Sequence, residues 1–348
     1  MGIPYDAQLA RLDEQTRALL ADRIAADVWL APVPNVEQGF RNKAKLVVAG
    51  SRGAPTLGIH DGGGLGVDLR DCGLYEPGLN EAVLEFADFV GAAGFTPYNV
   101  NTRSGELKHL ILTHSPDGEL MARFVFRSEG QTRKLAALLG ELPTNTKVVT
   151  VNIQPEHKAV LEGEQEQVLT DQTQLPMRVN DLVLQLGPKS FFQTSTPMAA
   201  RLYARARDWV AGANPEMVAD LYCGVGGFAH HVAAPSRQVH GVELSAEAIE
   251  CARLVGTPGV TFEVADADRL AVPDADLVIV NPPRRGIGEL AEALETTGVE
   301  RVIYSSCNPK SLARDLARLA SYEVEQVQLF DMFPQTEHCE ILVLLRHE

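Results

Sequence analysis

The chain has 348 residues, enough for two domains with cores of their own. Its 31 basic and 46 acidic residues give a formal charge of −15, which excludes a surface that attracts nucleic acid everywhere and leaves a local basic groove as the route to such a partner. Five scattered cysteines without a CxxC pair exclude a disulfide framework or a zinc knot, and no apolar run is long enough to span a bilayer, so free thiols in the cytoplasm are expected.

Residues 7–26 place Leu9, Leu12, Leu19, Leu20 and Ile24 at helical spacing and are read as an amphipathic helix. The period then falls to two. "KLVVAG" and "TLGIHD" read as strands, and "LKHLILTHSPDGELMARFVFR" as two strands around a Pro-Asp-Gly turn. A helical "TRKLAALLGEL", a strand "KVVTVNI" and short strand patterns through "AVLEGEQEQVLTD" and "MRVNDLVLQLG" complete a hairpin-rich antiparallel α+β region. Arg41, Lys43, Lys45 and Arg52 follow one another with no acid between them, which suits either an RNA contact or the solvated face of a strand.

From about Thr196 strands and helices alternate, beginning with "PMAARLYARARDWVAG" and "MVADLYC" and ending on two strands, "YEVEQVQLFDM" and "CEILVLLR", with no helix between them. This predicts a Rossmann-like α/β domain, a doubly wound and mostly parallel sheet with one antiparallel strand added at its end. The expected division is an N-terminal helix and α+β RNA-recognition domain over residues 1–188 and a catalytic domain over residues 189–348.

Three motifs of the second domain carry chemistry. "DLYCGVGGFA" follows a strand and opens a helix; Gly224, Gly226 and Ala229 match a nucleotide-binding turn, and Glu243 stands about twenty residues on, where a carboxylate can hold ribose hydroxyls. The motif alone admits either NAD or S-adenosylmethionine. "VIVNPPRRG" ends a later strand with Asn281 and two prolines, a stiff loop at the sheet edge where a flipped base can meet a methyl donor. Arg284 and Arg285 stand after the prolines, where amino-methylating enzymes place an aromatic, and suit phosphate contacts or plain surface charge.

"YSSCNP" sets Cys307 before a good N-cap, Asn308, and a Pro at the first helical position. The positive end of a helix favours a thiolate, although a buried cysteine is more commonly a small hydrophobe. Uracil supplies a reason for a nucleophile. Its C5 is too weak to take a sulfonium methyl until a thiolate adds at C6, and a base must later remove the C5 proton. "FPQTEHCEIL" offers Glu337, His338 and Glu340 for that role; Glu340 is favoured because it begins the final strand.

"SFFQTS", "DLYCGVGGFA", "NPPRRGIG", "IYSSCNP" and "LFDMFPQTEHCE", in this order, resemble the RNA 5-methyluridine methyltransferase family, and "GFRNKAKLVV", "FTPYNV", "GELKHLILT" and "VNIQP" extend the likeness over nearly the whole chain. The resemblance implies contacts to S-adenosylmethionine from Gln193, Tyr222, Glu243 and Asn281, with Cys307 as nucleophile and Glu340 as base. Tyr222 stands where Phe is common. The likeness is strongest to the type that methylates uracil 747 of 23S ribosomal RNA, with no membrane or obligate protein partner implied; transfer RNA or another ribosomal site is the alternative. Phe40, Arg41, Lys43, Lys45, Tyr98 and Arg127 are the candidates for RNA contacts in the first domain. Relatives of this type hold an iron-sulfur cluster on four cysteines, of which Cys72 alone has a match, so no cluster is expected; the reading frame is expected to continue upstream of Met1. A cytosine methyltransferase would call for a second loop cysteine beside the prolines. A noncatalytic RNA-binding factor and an NAD oxidoreductase are the outsiders.

Overall fold

The computed structural model describes residues 2–158, 160–269 and 271–348. Helix α1 (Tyr5–Leu20) turns a stripe of Leu12, Thr16 and Leu20 inward, as its four-residue spacing dictates, and Ile24 is buried just beyond it.

The next elements form one sheet and its helices. They are β1 (Lys43–Ser51), β2 (Ala54–His60), β3 (Gly66–Asp68), α2 (Pro77–Ala93), β4 (Leu107–His114), β5 (Leu120–Phe126), α3 (Thr132–Ala137), β6 (Thr146–Ile153) and β7 (Gln165–Val168). The strand order is β3-β2-β1-β4-β5-β6-β7. Pairing is antiparallel throughout except between β5 and β6, where the chain passes through α3 and returns in parallel. The strand pattern expected from Ala159 begins on a residue outside the described set, and β7 follows it. One face of the sheet packs α2 through Phe86 and Phe89 against Phe95, Phe124 and Phe126. On the other face Arg123 is 1% exposed and is met by Glu162 and Glu166, each at 2.7 Å. Thr150 and Asn152 of the neighbouring strand also donate to Glu166, so both charges are paired and hydrogen-bonded as burial demands.

The chain continues through β8 (Leu175–Val179), β9 (Leu182–Leu186), α4 (Thr196–Ala213), β10 (Met217–Leu221), α5 (Gly227–His231), β11 (Gln238–Glu243), α6 (Ala246–Leu254), β12 (Val260–Val264), β13 (Leu277–Val280), α7 (Leu290–Thr297), β14 (Arg301–Ser306), α8 (Pro309–Arg318), β15 (Tyr322–Phe330) and β16 (Glu340–His347). The second sheet has the order β12-β11-β10-β13-β14-β16-β15, with β10 to β14 parallel and β16 antiparallel to both its neighbours. The antiparallel strand therefore lies inside the sheet, between β14 and β15, and not at its margin as expected. A hairpin that turned β16 outward would have left it a solvent-facing edge. Its run of Ile341, Leu342, Val343, Leu344 and Leu345, all buried, demands cover on both faces.

The chain divides into two compact units, one of residues Gln38–Arg178 and one of Met1–Glu37 with Val179–Glu348. This corrects the expected boundary at residue 188: the first 37 residues belong with the later part of the chain. The reason is apolar burial. Leu12, Leu20 and Ile24 join Leu312, Leu316 and Leu319 in one core, where each buried Leu or Ile contributes about 2 kcal/mol. Beyond α1 the chain runs beside β15, with bridges from Trp29 to Val327 and Val33 to Phe330, and so covers an edge that would otherwise offer free backbone groups.

Candidate active site

Several strands of the second sheet bring the candidate residues to one edge. The strand order reverses between β10 and β13, and at such a switch point the loops leaving the carboxyl ends diverge and open a crevice. Since β16 runs the other way, its first residue, Glu340, arrives at the same edge as the ends of β10 to β14. The result is a cleft of about 640 Å³ lined by residues from eight segments, Gln193, Tyr222, Glu243, Asn281, Cys307 and Glu340 among them.

The cofactor end is built by backbone. After β10 the chain adopts positive φ at Tyr222 (60°), Gly224 (55°) and Gly226 (79°). Only glycine takes this conformation without cost, so Tyr222 carries a strain of about 1 kcal/mol. Its hydroxyl donates to Asp268 Oδ1 at 2.5 Å, and Arg285 Nη2 donates to Asp268 Oδ2 at 2.6 Å, which ties the loops after β10, β12 and β13 together. A Cβ on Gly227 would stand 2.4 Å from the Tyr203 hydroxyl, so the turn packs as closely as a bare backbone allows. Glu243 accepts from the Gly224 N–H at 3.3 Å and the Ser245 N–H at 2.9 Å, which fixes its carboxylate at the end of β11. Beside it Leu244 is 68% exposed, an apolar face left for a ligand, with Asp266 and Ala267 further along the wall. Carboxylates for ribose and amino groups, an apolar plate and open backbone suit S-adenosylmethionine.

The loops around Cys307 are joined by hydrogen bonds. Asn308 caps α8, its side chain accepting from the Lys310 N–H at 3.2 Å, with Pro309 in the first turn. The same side chain donates to the Arg284 carbonyl at 2.9 Å and so joins the cysteine loop to the Asn-Pro-Pro loop. Beneath them the buried Asp315 accepts from the Tyr304 hydroxyl at 2.7 Å and the Ile287 N–H at 2.9 Å. Gly286 (φ 89°) crosses so close that a Cβ would lie 2.0 Å from Asp315 Oδ2.

Cys307 is half-buried and lines the cleft. Burial pushes its thiol up and the Glu340 carboxylate adds to this, while Arg284 pulls the other way. The sulfur stands one residue ahead of the N-cap Asn308, so burial works against any thiolate-favouring effect of the helix start. Glu340 is 3% exposed, and desolvation pushes its carboxyl up to about 7 against the pull of one hydrogen bond from Ser305. Glu337 is exposed in the preceding turn; His338 is exposed too, 3.4 Å from Arg284 Nη2.

The RNA-contact candidates fare unevenly. Arg284 and Arg285 line the cleft, but Arg285 is engaged by Asp268, which argues against a phosphate contact from it. Arg41, Lys43, Lys45 and Arg127 belong to the other unit. There Lys45 is exposed, Lys43 is drawn down to about 8 by desolvation, and Arg127 is paired with Glu106 at 2.6 Å. Phe40 and Tyr98 are buried and offer no free ring face. Cys72 is half-buried, and among the described residues no three His, Cys, Asp or Glu side chains gather as a metal site. Sequence reasoning missed Asp266, Asp268, Leu244 and the exposed Phe191 at the cleft, and Ser305 buried behind Glu340. The acidic pair in "VADAD" after a strand end was the available signal.

This sheet, with its cleft at the switch point, defines an S-adenosylmethionine-dependent methyltransferase. Residues 218–298 match the family model described as "Methyltransferase domain", and residues 262–348 match "tRNA (Uracil-5-)-methyltransferase". Two curated relatives, the "23S rRNA (uracil(747)-C(5))-methyltransferase RlmC" proteins of Yersinia pseudotuberculosis serotype I (strain IP32953) and Yersinia pestis (strain Pestoides F), are each 48% identical over 98% of this chain and 94% of theirs. Among solved structures, the Pyrococcus abyssi tRNA (uracil-54, C5)-methyltransferase in complex with S-adenosyl-L-homocysteine matches at TM-score 0.83 and 26% identity, over 99% of this chain and 84% of that one. The chain belongs to the RNA (uracil-C5)-methyltransferase family.

Proposed function

We propose that this chain methylates C5 of a uridine in 23S ribosomal RNA, at the position equivalent to uracil 747, with Cys307 as nucleophile and Glu340 as base. The observation that carries the reading is that a thiol and a buried carboxyl, close enough for the carboxyl to act on the thiol, line the same cleft as the glycine turn and Glu243. The cofactor supplies an electrophilic methyl group.

The chain's own residues do the rest. Gln193, Tyr222, Glu243 and Asn281 bind and orient the donor, and the Asn-Pro-Pro loop forms one wall of the space for an extruded base. The Cys307 thiolate adds to C6 of uracil, and the C5=C6 electron pair moves toward C5, which becomes nucleophilic and takes the methyl. Glu340 then removes the proton from C5. The C5–H pair reforms C5=C6, the C6–S bond breaks, and its electrons return to sulfur. Arg284 offers a positive charge beside Cys307 that favours the thiolate.

Ribosomal RNA is favoured over transfer RNA because the 48% identical relatives are named for 23S RNA, whereas the tRNA enzyme is 26% identical. A cytoplasmic enzyme acting without a protein partner accords with this reading. Among the described residues no helix is long and apolar enough to cross a membrane. The test is mass-spectrometric mapping of 5-methyluridine in RNA from cells lacking the gene. Loss of the modification at the 747-type position supports the assignment, and loss from tRNA alone overturns it. In vitro, Cys307→Ala should bind S-adenosylmethionine normally and methylate nothing.

A further inference from the structure

Glu340 sits in an unusual setting for a carboxyl that must ionise. It opens a strand in the middle of a sheet, pairs through its backbone with Phe330, and is 3% exposed. From the adjacent strand Ser305, 0% exposed, donates its hydroxyl to Glu340 Oε1 at 2.5 Å. Such short bonds to carboxylates are the strong ones. The titratable groups facing this carboxyl are Cys307 after β14, Tyr203 of α4 and Cys339 beside it on its own segment. All three are acids that burial raises, and none of them can carry a compensating positive charge.

We propose that Ser305 is a positioning residue for the base: its hydroxyl holds Oε1, fixes the plane of the carboxyl, and leaves Oε2 to accept the proton from C5. This rests on the reading of Glu340 as base and goes beyond it. The hydroxyl has two consequences. It keeps a buried acid ionisable near neutral pH, since desolvation raises the carboxyl and this bond lowers it. It also removes the rotational freedom that a lone buried carboxyl at a strand start would retain. The proton balance is closed: the carboxylate gains the C5 proton on Oε2, the serine keeps its own, and sulfur leaves as thiolate.

The test follows decay of the covalent RNA-protein adduct, trapped by denaturing quench, as a function of pH in Ser305→Ala. A hydrogen bond to a charged group is worth enough to move the acid limb of that profile up by about one pH unit. Adduct decay should slow about fivefold near pH 7 and return to within about twofold of the unmodified protein near pH 9. S-adenosylmethionine affinity should not change. Ser305→Thr, which keeps the hydroxyl, should restore the limb. An unmoved limb, a loss equal at every pH, or a threonine variant that behaves as alanine would each overturn the inference. Glu340→Gln is the control that separates the two levels: if it accumulates adduct while Ser305→Ala leaves the limb in place, only the serine inference falls. Normal turnover without adduct in Glu340→Gln sinks the base assignment itself.

Discussion

Replacing Glu340 with Gln should cost the protein its activity and make it more stable, by an amount that depends on pH. The unfolded chain ionises this carboxyl near 4.5 and the folded protein near 7, because burial withholds water from the charge. A group whose folded pKa is raised contributes stability that is fully present below about 4.5 and is lost as pH climbs through about 7. At about 1.4 kcal/mol per pH unit, the loss amounts to about 3 kcal/mol once both states are ionised. Gln has the same shape, keeps an oxygen to accept from Ser305, and never charges. Glu340→Gln should therefore exceed the unmodified protein by about 3 kcal/mol near pH 8.5, and by less than about 1 kcal/mol near pH 5. Urea unfolding followed by intrinsic fluorescence is a clean assay, since the chain's two tryptophans, Trp29 and Trp209, both lie in the catalytic unit. Asp220, also buried and pushed up to about 8, titrates in both proteins and cancels in the difference. A difference that does not vary with pH, or a variant less stable at pH 8.5, would refute the account of the buried carboxyl.

Three further outcomes are expected. Gly286→Ala forces a side chain into a φ of 89° and against Asp315, and should lower the methylation rate at least about tenfold with the catalytic unit still folded, as judged by near-ultraviolet circular dichroism. Arg285→Ala releases Asp268 and should raise the KM for S-adenosylmethionine while leaving the salt dependence of RNA binding intact; Arg284→Ala should do the reverse, flattening the salt slope by about one. Exchange of these two phenotypes would show that the arginine roles are inverted. Arg123→Met strands the buried Glu166 and should destabilise its unit by about 3–5 kcal/mol, visible as faster hydrogen exchange in β5 to β7 with cofactor affinity unchanged.

The catalytic half of the fold was legible because its signals are local. Apolar runs alternating with helical stripes announce a parallel sheet, and Gly224, Asn281 and Cys307 each follow a strand, where the topology gathers ligands at one edge. What escaped was non-local. Nothing in residues 7–26 says that their apolar face waits for Leu312 and Leu316 some three hundred positions later, so the helix was assigned to the wrong unit. The place of β16 inside the sheet escaped for the same reason. Asp268 and Ser305 look like ordinary polar residues until Tyr222, Arg285 and Glu340 are brought to them by other strands. The sequence shows Cys307 beside a helix start but not the burial and the Glu340 carboxylate that work against its ionisation.

The route by which α1 reaches its core has a bearing on how the chain is made. Residues Gln38–Arg178 leave the ribosome as an uninterrupted stretch and can close their sheet as soon as β7 emerges. The opening segment has no such prospect, because Val327 and Phe330, its neighbours along β15, are translated some three hundred positions later. Its Trp29 and apolar stripe stay exposed through most of synthesis, a window in which a chaperone or aggregation competes for them. Joining residues 348 and 1 and opening the chain after residue 37 would have the helix made directly after its partners, and would test whether that delay limits the yield of folded enzyme.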